Sequence, residues 1–166
     1  MSSERHFRIG VLTLSDKGAR GERVDESGEV IKQMVDDLGD VCRYQVIPDD
    51  FARIVETLSG WVDEERLDLI LTTGGTGMTP RDVTPEATAT VLERLVPGIA
   101  EAMRAESLKK TPHAMLSRGL AGLRGSTLIV NLPGSPRAVR ENLAVILPAL
   151  PHGLAKLKGD PSDCAI

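Results

Sequence analysis

The chain has few aromatic residues. Phe7, Tyr44, Phe51 and Trp61 are all it carries in 166 residues, too few for a platform on which nucleic-acid bases would stack. Cysteine is equally scarce. Cys42 and Cys164 stand far apart, which excludes a disulfide framework, and no Cys/His spacing matches a zinc site. The histidines His6, His113 and His152 are scattered and read as surface or structural residues. There is no excess of basic charge: the formal net charge of −4 argues against a nucleic-acid partner. No apolar run approaches the length of a membrane span, and residues 1–6 hold no apolar signal region. A soluble cytoplasmic protein is expected, with a core of Val, Ile, Leu, Ala and Met. The length suits one domain over 1–166, with its core at about 8–158 and a loose tail at 159–166.

What is present is an alternation of apolar runs and amphipathic stretches. Residues 8–14 read as a buried strand and 15–24 as a polar loop. Asp25 caps a helix through Leu38 that presents Val30, Ile31, Met34 and Val35 on one face, and Gly39 stops it. A second strand runs over 41–47. Asp50 caps a helix carrying Ile54, Leu58 and Trp61, and a third strand covers 67–71. Thr84-Pro85-Glu86 reads as a helix start with Thr84 as cap. A second helical stretch covers 99–109, a strand 126–131, and helices 137–147 and 148–158. Strands separated by helices of this length indicate an α/β fold, a three-layer α/β/α sandwich with a mostly parallel sheet. In such sheets ligands bind beyond the C-terminal strand ends. Four polar clusters fall there: Ser15-Asp16, Asp49, the loop after the third strand, and 131–136.

The loop is Thr72-Thr73-Gly74-Gly75-Thr76-Gly77, followed by Arg81-Asp82-Val83-Thr84-Pro85. Glycines allow close backbone approach and positive φ. Bare N–H groups next to a helix start favour phosphate. A P-loop would need Lys-Ser or Lys-Thr after the last glycine, where Met78-Thr79 stands. The dinucleotide fingerprint would need a glycine where Pro80 stands. Neither familiar nucleotide loop fits, and a plain strand-to-helix turn remains open on local sequence. Asp82 beside a phosphate-seeking loop points to a metal between the two.

Taken together, the motifs resemble the MogA/MoaB family of molybdenum cofactor biosynthesis proteins, the molybdopterin adenylyltransferase group. They are Ile9-Gly10-Val11 with Ser15-Asp16-Lys17, Asp25-Glu26-Ser27-Gly28, Ile47-Pro48-Asp49, the glycine loop, Arg81 to Glu86, Pro97-Gly98, Leu116-Ser117-Arg118, and Asn131-Leu132-Pro133-Gly134-Ser135-Pro136. The resemblance runs over about 8–158. Lys17 departs from the arginine found in many members, keeping the charge without the bidentate fork.

The resemblance implies a homotrimer that transfers AMP from ATP to the terminal phosphate of molybdopterin with Mg²⁺, releasing pyrophosphate, and a molybdate-insertion enzyme as a possible partner. On this reading Asp49 and Asp82 are the catalytic, metal-positioning carboxylates. Ser15, Asp16, Gly74, Gly75, Thr76 and Gly77 hold phosphate. Ser117 and Arg118 supply a hydroxyl and a cation, and Asn131, Pro133, Gly134, Ser135 and Pro136 wall the nucleotide site. The alternatives are a non-catalytic molybdopterin carrier and a pyrophosphatase-like relative of the same fold. Gly75→Val is expected to block binding more than folding.

Overall fold

A computed structural model describes residues 6–164. Its centre is a six-stranded sheet in the order β2-β1-β3-β6-β5-β4, built from β1 (Phe7–Leu14), β2 (Gly39–Ile47), β3 (Leu69–Thr73), β4 (Arg94–Leu95), β5 (Ala121–Arg124) and β6 (Thr127–Leu132). β1 pairs parallel with β2 and β3, and β3 parallel with β6, while β5 and β4 add an antiparallel edge. The expected mostly parallel sheet is present.

Strand periodicity sets the layers. Ile9, Val11, Leu69, Leu71, Val130 and Leu132 point to one face and pack with Val30, Met103, Leu143 and Leu154. Those partners come from α2 (Glu26–Met34), α5 (Pro97–Leu108), α6 (Pro136–Ile146) and α7 (Leu150–Leu157). Leu12, Leu14, Ile70 and Ile129 point the other way, against Ile54, Leu58, Trp61 and Val91. These lie on α3 (Phe51–Asp63) and α4 (Thr84–Val91). Buried strands with apolar residues on both faces are the mark of a sheet sandwiched between helices.

The elements differ from expectation at several points. The loop after β1 contains the short helix α1 (Asp16–Ala19). α2 ends at Met34 and turns back through Val35, so Gly39 does not stop a helix. It opens β2 opposite Phe7, where an added Cβ would meet the Phe7 carbonyl oxygen at 2.0 Å. That close approach explains the glycine. Asp50 caps α3 as expected, accepting from the Arg53 N–H at 2.9 Å. Thr84 does not cap α4. The cap position falls on Val83, without a side-chain bond, because the Thr84 hydroxyl turns back to the glycine loop. β4 and β5 carried no sequence signal. Beyond α7 the Asp160 N–H bonds the Ala155 carbonyl, and Ser162 and Cys164 contact Lys156 and His152. Ala165 and Ile166 lie outside the described residues.

Two glycine substitutions should separate these roles. Gly60 lies inside α3 with open space where a Cβ would be, so Gly60→Ala should stabilise by about 0.5–1 kcal/mol through helix propensity. Gly39→Ala should destabilise by roughly 2 kcal/mol or more, since backbone must move. Urea denaturation of both variants checks the signs.

Candidate active site

The sheet order places three strand ends side by side: Leu14 of β1, Thr73 of β3 and Leu132 of β6. The glycine loop leaves β3 between the other two. Gly74 has φ +96° and Gly75 φ +69°, a region open to glycine and strained for other residues. A Cβ on Gly74 would stand 2.4 Å from the Leu14 carbonyl oxygen, and one on Gly75 2.1 Å from Thr84 Oγ1. Thr84 Oγ1 donates to the Gly74 carbonyl at 3.0 Å, and the Thr84 N–H to the Gly75 carbonyl at 3.2 Å. Thr73 Oγ1 donates to the Pro133 carbonyl at 2.6 Å. The loop is thus bolted to α4 and to the end of β6. A valine at Gly75 would collide with Thr84 as well as fill the site, so that substitution would damage the fold along with binding.

Two cavities open on either side of this loop. The larger, of about 1030 Å³, takes in Ser15, Asp16, Asp49, Gly74, Gly75, Asp82, Gly134, Ser135 and Pro136. The smaller, of about 460 Å³, takes in Thr76, Gly77, Ser117, Asn131 and Pro133. The candidate residues other than Arg118 therefore divide between two neighbouring spaces, with the glycine loop as their common wall.

Five carboxylates (Asp16, Asp25, Glu26, Asp49, Asp82) and three cations (Lys17, Arg23, Arg81) line the larger cavity. Asp16 and Asp49 bind each other reciprocally. The Asp49 N–H donates to Asp16 Oδ1 at 3.1 Å, and the Asp16 N–H to Asp49 Oδ2 at 3.3 Å. Arg81 grips Asp16 with Nη2 at 2.7 Å and Nε at 3.1 Å, and this guanidinium holds the Asp16 carboxyl below its usual range. Asp49 shifts the other way, raised by burial first and by the nearby Asp16 charge second. Its Oδ1 is buried without a hydrogen-bond partner, and it lies 3.0 Å from where a Cβ on Gly75 would be. A buried carboxylate oxygen with no protein partner, facing a glycine cradle, can accept from a cation or donor group that a ligand brings. Asp82 Oδ2 accepts from the Thr79 N–H at 2.9 Å and from Thr79 Oγ1 at 2.8 Å. No group of three or more acidic, His or Cys side chains with metal-binding geometry occurs among the described residues, so a metal here would need ligands from a substrate as well.

Ser15 Oγ caps α1 by accepting from the Gly18 N–H at 2.9 Å, and Ser135 Oγ caps α6 by accepting from the Ala138 N–H at 3.1 Å. Ser135 and Pro136 bring the α6 N-terminus to the larger cavity, and that end of the helix favours an anion. Asn131 is 1% exposed. Its Nδ2 donates to Thr72 Oγ1 at 2.9 Å and Thr88 Oγ1 at 3.0 Å, and its Oδ1 accepts from the Leu120 N–H at 3.3 Å. Its amide is occupied in joining β6 to β3 and α4. Arg118 bonds protein groups instead of projecting into either cavity, pairing with Glu86 and with the carbonyls of Gly77 and Asp82.

Sequence reasoning gave no role to Arg81, although it stands inside the Arg-Asp-Val-Thr-Pro motif. It also missed a network that reaches the larger cavity through Thr13 and Asp25. Thr13 Oγ1 and the Tyr44 hydroxyl both donate to Asp25 Oδ2, while Asp25 Oδ1 accepts from the Gly28 N–H. Burial, then Asp25, pushes the Tyr44 phenol well above its usual range. Tyr44 sits in mid-strand with no local signal of that contact.

The raised carboxyl of Asp49 opposes folding once ionised. Its contribution is favourable at pH below the ordinary carboxylate range and is lost as pH rises through the raised folded value. Asp49→Asn should therefore stabilise the metal-free protein at pH 7, by roughly 1 kcal/mol or less because solvent screens part of the effect. The gain should shrink toward acid pH. Thermal melts in EDTA across pH 4–8 check this, and a pH-independent difference would contradict it.

Comparison with known proteins agrees with this geometry. The family model described as a probable molybdopterin binding domain matches residues 10–152. The chain is 46% identical to gephyrin of Dictyostelium discoideum over 96% of its own length, but spans only 24% of that larger protein. It is 41% identical to the molybdopterin adenylyltransferase of Helicobacter pylori strain J99, over 93% of this chain and 89% of that one. The crystal structure of the molybdopterin biosynthesis enzyme MoaB from Thermus thermophilus superposes with a TM-score of 0.88 at 53% identity, covering 95% of this chain and 99% of that one. With a family model matching most of its length, and near-full-length relatives of the same fold, this chain belongs to the molybdopterin-binding MogA/MoaB family.

Proposed function

We propose that the chain is a molybdopterin adenylyltransferase, acting as a single molybdopterin-binding unit. The observation that carries this reading is the pair of cavities divided by a phosphate-suited glycine loop. A two-substrate phosphate transfer needs two pockets that meet at phosphorus. The larger, acid-lined cavity takes ATP and the smaller takes the pterin, whose phosphate reaches the loop. Near-full-length relatives bearing this activity's name support the assignment.

In the reaction, an oxygen of the pterin phosphate attacks the α-phosphorus of ATP. A new P–O–P bond forms, the bond from the α-phosphorus to the β-bridging oxygen breaks, and pyrophosphate leaves. The attacking phosphate is already ionised, so no general base is required. The difficulty is bringing anions together. The backbone of Gly74 and Gly75 and the start of α6 receive phosphate charge, and Arg81, Lys17 and Arg23 supply cations at the rim. The acids outnumber these cations, which fits entry of ATP with a divalent ion. Asp49, through its unpartnered Oδ1, and Asp82 would hold Mg²⁺, which supplies charge neutralisation at the phosphates. We further propose a cytoplasmic homotrimer whose product passes to a molybdate-insertion enzyme.

Incubation with molybdopterin, ATP and Mg²⁺ should yield adenylylated pterin and pyrophosphate. Asp49→Ala and Asp82→Ala should each lower turnover by ~10²–10⁴ with the fold retained. Pterin binding without turnover would favour a carrier, and ATP hydrolysis without pterin a pyrophosphatase-like activity. Light scattering that shows only a 17.8 kDa species would contradict the trimer.

A further inference from the structure

Residues 77–82 join the two cavities. Gly77 lines the smaller and Asp82 the larger. Little packing holds this segment: Met78, Thr79, Pro80 and Arg81 are all exposed, Met78 at 68%. Its internal bonds make it a small self-contained unit. The Asp82 N–H donates to the Thr79 carbonyl at 3.0 Å, and the Asp82 carboxylate returns to Thr79.

One side chain spans its two ends. Arg118 Nε donates to the Gly77 carbonyl at 2.7 Å, and Arg118 Nη2 to the Asp82 carbonyl, also at 2.7 Å. The Arg118 backbone N–H donates to the Thr76 carbonyl at 2.9 Å. Nη1 pairs with Glu86 in the first turn of α4. A guanidinium is planar and its donors have fixed directions. Two carbonyls bound to one such group are held at one separation and one orientation. A flexible ammonium cannot reproduce that span.

We infer that Arg118 is a positioning residue that fixes Asp82 and the glycine loop relative to each other. This deepens the adenylyltransferase reading and rests on it for the role of Asp82. It also reassigns the cation. A phosphate-binding arginine would aim its donors into a cavity, whereas these donors meet two backbone carbonyls and Glu86. The neighbouring residues Ser117 and Gly119 line the smaller cavity. Arg104 Nη1 holds the Gly119 carbonyl at 2.8 Å, so Arg118 stands on a braced segment. A misplacement of about 1 Å in a catalytic group can lower rate ~10²-fold.

The test compares Arg118→Lys, Arg118→Gln and wild type in two measurements. The first is hydrogen exchange of the amides in 78–83, which needs no activity. Exchange should speed at least ~10-fold in both variants, with β1 and β3 unchanged. The second is steady-state adenylylation with molybdopterin, ATP and Mg²⁺. Turnover should fall ~10–100-fold in both variants, the Mg²⁺ needed for half-activation should rise, and equilibrium pterin affinity should stay within about 3-fold. Unchanged exchange, or near-normal turnover in Arg118→Lys, would overturn the inference. A loss of pterin affinity equal to the loss of turnover would do the same, marking Arg118 as a ligand contact. If a variant fails to fold, Glu86→Gln loosens the same clamp from the far side and should show the pattern more weakly; normal exchange and turnover there overturn the inference too. If wild type forms no adenylylated pterin, the functional reading fails by itself while exchange still decides the clamp.

Discussion

Close backbone contact between three strand ends is the constraint on which the site depends. Gly74 sits where any side chain would strike the Leu14 carbonyl, and a Cβ on Gly134 would stand 3.4 Å from the Gly74 Cα. These approaches draw the loops after β1, β3 and β6 into one rim. They also set which groups line it: the loop backbone, the start of α6 and the Asp16 carboxylate, which Asp49 joins from the end of β2 through reciprocal backbone hydrogen bonds. β1 leads to β2 on one side and lies beside β3 on the other, the point where open α/β sheets leave a crevice for ligands.

The rim is electrostatically uneven, and the unevenness has a direction. Asp16 is satisfied: it accepts from Arg81 and from the Asp49 backbone. Asp49 is not, with one oxygen buried and unpartnered and its proton affinity raised. A fold that leaves such a group is less stable than it could be, and strain of this kind gathers at functional sites. A cation arriving with a polyphosphate would relieve it. The same cation would offset the excess of carboxylates over basic residues around the larger cavity. Loop geometry and charge are both compatible with the substrate proposed above, a polyphosphate that brings its own divalent ion.

Much of this was legible in the sequence, because strand-to-helix turns follow local rules. The apolar runs of β1, β3 and β6 and the polar residues after them marked the rim directly. Asp25, Asp50 and the glycine pair kept the roles that their local chemistry implied. The failures arise where a residue's role is set by something distant in sequence. Gly39 is required by Phe7 across a strand pair, not by the helix before it. Thr84 gives its hydroxyl to Gly74 rather than to its own helix. Arg118 reads as a cation offered to the ligand, yet its partners are protein groups 32 to 41 residues away. β4 has two residues and β5 four, too short for periodicity to register. The division into two cavities had no signature either, since one loop supplies residues to both.

The central claim is that the acid-lined cavity admits a triphosphate only together with a divalent cation. Calorimetric titration of ATP into the protein, with Mg²⁺ and then with excess EDTA, tests it most directly. The account predicts clear saturable binding with Mg²⁺ and a loss of at least ~100-fold in affinity without it, about 2.7 kcal/mol. Equal affinity in the two titrations would contradict it.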